Sequence, residues 1–469
     1  MERLNGWLDD GTACSVEIEP DGRVRAVADY TDEPPALWLG GREIPHEIVV
    51  NLNDGRVATL RNVFFLHRKG WFGASQTTYG SQLAFIGKSK FTDRINRVAI
   101  LPSQPEQSIF YRGHKSYGER ENDLDTLAEI LRNEPGSGRY LVSVIDSERL
   151  VAAKVVTDFG KIEFDVAVSR NMSGHGTELV EQRRALLEYN EPHDAPAVIE
   201  DVVTLCDFLS INLGEVIVPT KLQVVSDGER DRFGQAPLYE VYVRLREPGE
   251  EIAKGKVYRL LSAPSLNREH WEHNVARWFE RRSEWRQSYS LFISLLGRQR
   301  EFSRERFMDA IGWFESIPEF YMPTLAPLAT KAALKAATSA AAEALKEKGS
   351  EIPPDRIRNL FGMVNDPSLS TRLTAALERV RSTFGDEILP AGIETYLRLA
   401  PKIRGNFAHG ENAFIGSDGD NVYPAMVATE AVCLLLTLDG LFIRDVGKNR
   451  TGHILDRSLE ELQSICGGK

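Results

Sequence analysis

Cysteine is scarce in this chain. Cys14, Cys206, Cys433 and Cys466 are scattered through 469 residues with no paired spacing, whereas zinc ribbons, dithiol redox motifs and disulfide frameworks all depend on such pairs. The four thiols are therefore expected to be reduced, and no metal or cofactor is expected. An N-terminal apolar run is also missing: Met1-Glu2-Arg3-Leu4-Asn5 leads to Asp9 and Asp10, unlike a signal or transit peptide, so a cytoplasmic protein is expected. The longest apolar stretch, 424–443, is interrupted by Glu430 and Asp439; a buried core helix is expected there, not a membrane span. No internal repeat occurs, and the one low-complexity tract is the alanine-rich segment 331–344, whose small side chains would let neighbouring helices approach closely. No Gly-x-Ser-x-Gly elbow and no metal-dependent nuclease pattern on a convincing strand are found, which removes those enzyme classes.

What is present divides into two parts. The length implies two or three domains. The net charge of −11 is carried almost wholly by residues 1–250, while 251–469 are close to neutral, so a phosphate-bearing partner is expected on the C-terminal half. Asp21-Gly22, Asp54-Gly55 and Asp227-Gly228 are hairpin signals. Strands are expected over 140–145, 150–156, 161–168, 222–225 and 238–243, with helices over 124–132 and 197–210. Near Ser262-Ala263-Pro264-Ser265 the pattern turns helical. Helices are expected over about 267–299, 303–316, 325–347, 354–363, 369–383, 388–408 and 425–443. The fold class is thus α+β: a β-rich domain over 1–262, sandwich-like or a curved sheet with one or two helices, then an all-α region over 263–469.

Several patterns carry candidate chemistry beside a plainer explanation. His270-Trp271-Glu272-His273 sets two imidazoles one helical turn apart, one residue short of the metalloprotease spacing, and fits an ordinary polar helix start better. Ser173-Gly174-His175-Gly176 lacks the spacing of a phosphate cradle and reads as a loop. Arginines at 277, 281, 282, 286, 298, 300, 304 and 306 interleave with Trp278, Phe279, Trp285 and Phe302. That mixture suits stacked bases and phosphates. The interspersed Glu280, Glu284, Glu301 and Glu305 favour an ion-paired helix face instead.

The most informative stretch is Lys402-Ile403-Arg404-Gly405-Asn406-Phe407-Ala408-His409-Gly410. Tyr396, Leu399, Ile403 and Phe407 recur at helical spacing and are expected to form a buried stripe, with Pro401 a point of kinking. Arg404 lies beside that stripe. His409 is about 140° further round a continuous helix, but Gly410 can take the left-handed conformation that ends one, letting the imidazole turn back toward Arg404. An imidazole can take and return protons at neutral pH, and a guanidinium can hold a developing phosphorane charge. By spacing alone, the pair could equally cap helix-end carbonyls. Glu430, if buried, needs a partner, and Arg404 or His409 is the expected one; the competing reading is that it faces solvent at the helix edge.

This stretch resembles the motif of the HEPN superfamily, in which an arginine near the last helical hairpin is followed a few residues later by histidine, commonly with a polar residue after the arginine and glycine after the histidine. Arg404, His409 and Gly410 match; Gly405 departs from the polar position, and Asn406 is expected to supply its group. The chain as a whole is similar to the ApeA-type anti-phage proteins, in which a β-rich domain precedes a HEPN domain. The similar segments are Asp158-Phe159-Gly160-Lys161-Ile162-Glu163-Phe164 and Ile145-Asp146-Ser147-Glu148-Arg149. The resemblance implies a metal-independent endoribonuclease of abortive anti-phage defence, with Arg404, His409 and Asn406 catalytic and Lys402 and Glu430 supporting. It implies a homodimer with two facing motifs, host RNA as substrate with tRNA a candidate, and 2′,3′-cyclic phosphate and 5′-hydroxyl products. The N-terminal domain would sense a phage-derived trigger. The alternative, favoured by Gly405, is a non-catalytic HEPN dimerisation or RNA-binding module whose β-domain binds a phage protein or glycan.

Overall fold

The computed structural model describes residues 1–30, 45–71, 74–103, 151–173, 176–227, 230, 236–245, 260–261, 268–297, 302–323, 325, 329–349, 352–353, 355–357, 367–409, 419–440 and 454–467. The expected helix 124–132, the strand 140–145, the segment Ile145 to Arg149, the 262–265 boundary, most of 354–363, and Gly174, His175, Gly228 and Gly410 lie outside the described residues. The chain is α+β, an antiparallel sheet region followed by a helical one. It forms two compact units, Met1–Glu280 and Arg281–Lys469, and the division falls inside a long helix.

The first unit contains strands β1 (Glu2–Trp7), β2 (Ala13–Ile18), β3 (Val24–Tyr30), β4 (Glu47–Leu52), β5 (Val57–Trp71), β6 (Ala74–Gly87), β7 (Ile95–Pro102), β8 (Val151–Val156), β9 (Gly160–Ser173), β10 (Gly176–His193), β11 (Pro219–Ser226) and β12 (Leu238–Val243). Their order is β3-β2-β1-β4-β5-β6-β12-β11-β7-β10-β9-β8, with β3 also paired to β6. One edge of β6 pairs with β3 through Ser75–Ser81 and then with β12 through Leu83–Gly87. The first pairing closes six strands into a barrel; the second carries the sheet onward as an open extension. The curved sheet expected from the sequence therefore closes on itself in its first half, which removes edge strands there. Alternating side chains fill its interior, with Val16, Ala26, Val50, Ala58 and Leu60 buried.

Two of the Asp-Gly turns form as expected, and Asp10-Gly11, unremarked in the sequence, makes a third. In each, the glycine N–H donates to a carbonyl three residues back, Leu8, Glu19 or Leu52. Gly11, Gly22 and Gly55 all have φ of +83°, the left-handed position that three-residue hairpins reserve for glycine. Over the extension lies α1 (Ala195–Leu213), against β7. Asp194 caps it by accepting from the Ala197 N–H at 2.9 Å, and Gly214 ends it in the left-handed conformation. The expected stripe Val198, Val202, Leu205 and Leu209 is buried. Phe208 and Ile211 are buried as well, so α1 is enclosed on more than one face.

The long helix α2 (Arg268–Gly297) begins in this unit. Trp271 sits edge-on to Phe164 and Phe208, and Trp278 donates its indole N–H to the Thr204 carbonyl at 2.7 Å. Glu272 accepts from the Lys154 backbone N–H and from Arg268. The His270–His273 segment is thus a packed helix start, and no metal-holding cluster is found among the described residues.

The second unit holds the rest of α2, then α3 (Arg304–Ser316), α4 (Lys331–Glu347), α5 (Leu369–Phe384), α6 (Ile393–Ala408), α7 (Gly419–Gly440) and α8 (Ile454–Gly467), with short 3-10 turns at Glu319–Tyr321 and Asp386–Ile388. At its centre is α7, packed by α3, α5, α6 and α8. It is long and apolar enough to cross a membrane, yet 78 % of its apolar window is buried inside the protein. It begins six residues before the expected 425 and runs through Pro424, which gives up one intrahelical hydrogen bond in its second turn. Each acid that interrupts it meets an arginine: Arg306 for Glu430 and Arg379 for Asp439. No side chain of α4 is buried among the described residues, so its alanines do not produce the expected close helix contact.

Candidate active site at the end of helix α6

Helix α6 is amphipathic: Ile393, Tyr396, Leu397, Ala400, Ile403 and Phe407 are buried. Leu397 and Ala400 complete the stripe, and Leu399 is only half-buried. The helix runs through Pro401 without interruption and ends at His409, whose φ of −87° and ψ of 6° keep it close to helical geometry. Its N–H donates to the Gly405 carbonyl at 3.0 Å, and its imidazole side of the chain is exposed. The expected turn-back at Gly410 lies outside the described residues.

Arg404 lies beside the stripe, half-exposed, with Nη2 3.0 Å from Oε2 of Glu315 on α3. Among the described residues no hydrogen bond joins Arg404 to His409. Asn406 is half-buried between them in sequence, and Lys402 is exposed on the same helix. A Cβ added at Gly405 would meet nothing within 4 Å. Packing therefore does not require glycine at that position.

Glu430 stands apart from the motif residues. Its two carboxylate oxygens accept from Nε and Nη2 of Arg306, both at 2.8 Å, with the two side chains 12 % and 9 % exposed. This corrects the expectation that it orients Arg404 or His409. A forked guanidinium matches both oxygens of a carboxylate, so Glu430 joins α7 to α3. Burial pushes its carboxyl pKa up, and Arg306 pulls it back down. Sequence spacing offered no means of choosing Arg306 among so many arginines.

Arg304 belongs with this end of the unit, although the sequence offered it only as one of many cations. Its Nη2 donates to the Phe407 carbonyl at 2.5 Å, and its guanidinium carbon lies 5.8 Å from the centre of the Phe407 ring. Phe407 also packs edge-on against Phe307. The acceptor lies in the last turn, whose carbonyls lack the i+4 donor of the helix interior. A guanidinium is thereby fixed two residues from His409. Around it gather the start of α3, capped by Ser303 Oγ accepting from the Arg306 N–H at 3.1 Å, and the start of α7. There Tyr423 donates its hydroxyl to Glu461, and burial, then that carboxylate, pushes the phenol pKa up to about 12.

The first unit has its own cavity, of about 280 Å³, at the mouth of the barrel. Leu8, Asp10, Cys14, Tyr30, Ile48 and Tyr79 are among its lining residues.

The chain matches no family model, no curated protein and no solved structure. Fold and site define an α+β protein whose helical unit carries Arg404 and His409 in the last two turns of one amphipathic helix, with Arg304 bonded to the same helix end.

Proposed function

We propose that this protein is a metal-independent endoribonuclease of the HEPN type. The observation that carries the proposal is the end of α6, where an exposed imidazole at His409 follows a half-exposed guanidinium at Arg404 by five positions. Acting from two copies across a two-fold axis, one His409 takes the proton from a ribose 2′-hydroxyl as that oxygen attacks phosphorus. The bond from phosphorus to the 5′-oxygen breaks, and the partner copy's imidazolium protonates the departing oxygen. Arg404 holds the charge accumulating on the phosphorane. The products are a 2′,3′-cyclic phosphate and a 5′-hydroxyl. Asn406 is the polar group beside Arg404 in the proposed site, and Lys402 adds positive charge on the same helix.

Glu315 engages one of the guanidinium donors of Arg404 before substrate arrives and competes with a phosphate there. An exposed pair of this kind is worth only about 0–1 kcal/mol, so the exchange is easy. In the biological role we propose, the enzyme acts in abortive anti-phage defence, cutting host RNA, with tRNA a candidate, once the N-terminal unit meets a phage-derived trigger. A second reading, a non-catalytic module that binds RNA and a ligand, is favoured by the barrel-mouth cavity and by Gly405.

The test expresses the full chain and its His409→Ala form, alone and under phage challenge, and examines total RNA in the presence of EDTA. Fragments ending in cyclic phosphate are expected from the parent and not from the variant. RNA left equally intact by both would refute the nuclease.

A further inference from the structure

The arginine- and aromatic-rich stretch 277–306 is sorted by the structure into two kinds of residue. Trp278, Phe279 and Trp285 are buried, against Phe208, Phe159 and Tyr321 respectively. Phe302 is 48 % exposed, just outside the start of α3 and two residues from Arg304. Its ring stands edge-on to Tyr423, with centroids 5.0 Å apart and planes at 86°. That contact orients an aromatic ring that still meets solvent. Arg304 is tied to the Phe407 carbonyl, two residues from His409, and that bond engages one of the five N–H donors a guanidinium carries.

An oriented aromatic ring next to a fixed cation is the combination that binds an unpaired nucleotide, since the ring stacks a base of any identity and the cation meets a phosphate. We propose that Phe302 and Arg304 form a nucleotide subsite beside His409, with a base of single-stranded RNA on Phe302 and its phosphate on Arg304. This rests on the nuclease reading for its consequence. RNA held there presents the neighbouring ribose and phosphate to His409, so unpaired segments are cut and duplex, whose bases cannot leave the stack without cost, is spared.

The test measures binding and cleavage separately, on the full chain. Fluorescence anisotropy with a labelled single-stranded oligouridylate, and with the same strand annealed to oligoadenylate, is recorded in the His409→Ala background so that RNA survives. Phe302→Leu, which keeps an apolar side chain and loses the ring face, is expected to weaken single-strand binding roughly five- to hundredfold. Arg304→Gln is expected to lower the slope of log affinity against log salt by about 0.7, one phosphate's worth for a single strand. A merely structural role for Arg304 would leave that slope unmoved, and one for Phe302 would weaken single-strand and duplex binding alike. The cleavage pattern is then read with His409 intact. If the parent cuts RNA while Phe302→Leu and Arg304→Gln bind and cut as it does, the subsite is overturned and the nuclease stands. If single strands bind through both residues yet stay whole with His409 present, the subsite stands and the nuclease falls. Absence of single-strand binding by the parent overturns the subsite and leaves the nuclease to the His409→Ala comparison.

Discussion

Removing Glu430 should damage the helical unit far more than removing a surface acid, and the size of the effect follows from its geometry. Both oxygens are held at 2.8 Å by one guanidinium, and the two side chains are about nine-tenths enclosed. This is the buried regime, in which deleting one partner strands a charge and destabilises by about 3–5 kcal/mol, against about 0–1 kcal/mol for an exposed pair. Glu430→Ala and Arg306→Met are each expected to fall in the higher range. Combining Arg306→Met with Glu430→Leu should restore most of the stability, because no charge is then left without a partner. Arg306→Met adds a pH signature. Burial already pushes the Glu430 carboxyl up, and without Arg306 its folded-state pKa must stand higher still above the unfolded one. The folded variant then binds the proton more readily, so its stability is retained below the ordinary carboxylate range and lost as pH rises through the raised pKa. Urea denaturation at several pH values measures this, with hydrogen exchange of α7 peptides identifying the transition of the helical unit. A loss under about 0.5 kcal/mol for both single variants, or a loss for Arg306→Met that does not grow with pH, would refute the pairing.

Glu315→Gln should free Arg404 and raise the rate of RNA cleavage by up to about fivefold, the equivalent of about 1 kcal/mol, with thermal stability unchanged; a slower enzyme in a single-turnover assay would contradict the competition. Gly405 has open space where a Cβ would go, so Gly405→Ala should stabilise α6 by about 0.5–1 kcal/mol in thermal unfolding. Gly405→Asn, tested by the same cleavage assay, should raise activity if the polar group next to Arg404 takes part in catalysis.

Local chemistry made much of this protein legible before any coordinates. Asp-Gly pairs specify hairpins because glycine alone accepts the left-handed position without strain, and Gly22 and Gly55 adopt it. The stripe on α6 and the greasy face of α1 follow from helical spacing, and the change from strand to helix patterns located the two-part α+β order. The sequence by itself also singled out Glu430 as an acid in need of a partner. Tertiary structure alone decided which. Arg306 is 124 positions away, and Arg304 reaches Phe407 across 103; neither pairing leaves a periodic trace, because each depends on how α3 packs beside α6 and α7. Barrel closure was hidden for the same reason. Whether β3 pairs with β6 depends on strand curvature and register over some fifty residues, and side-chain alternation reports only which face is buried.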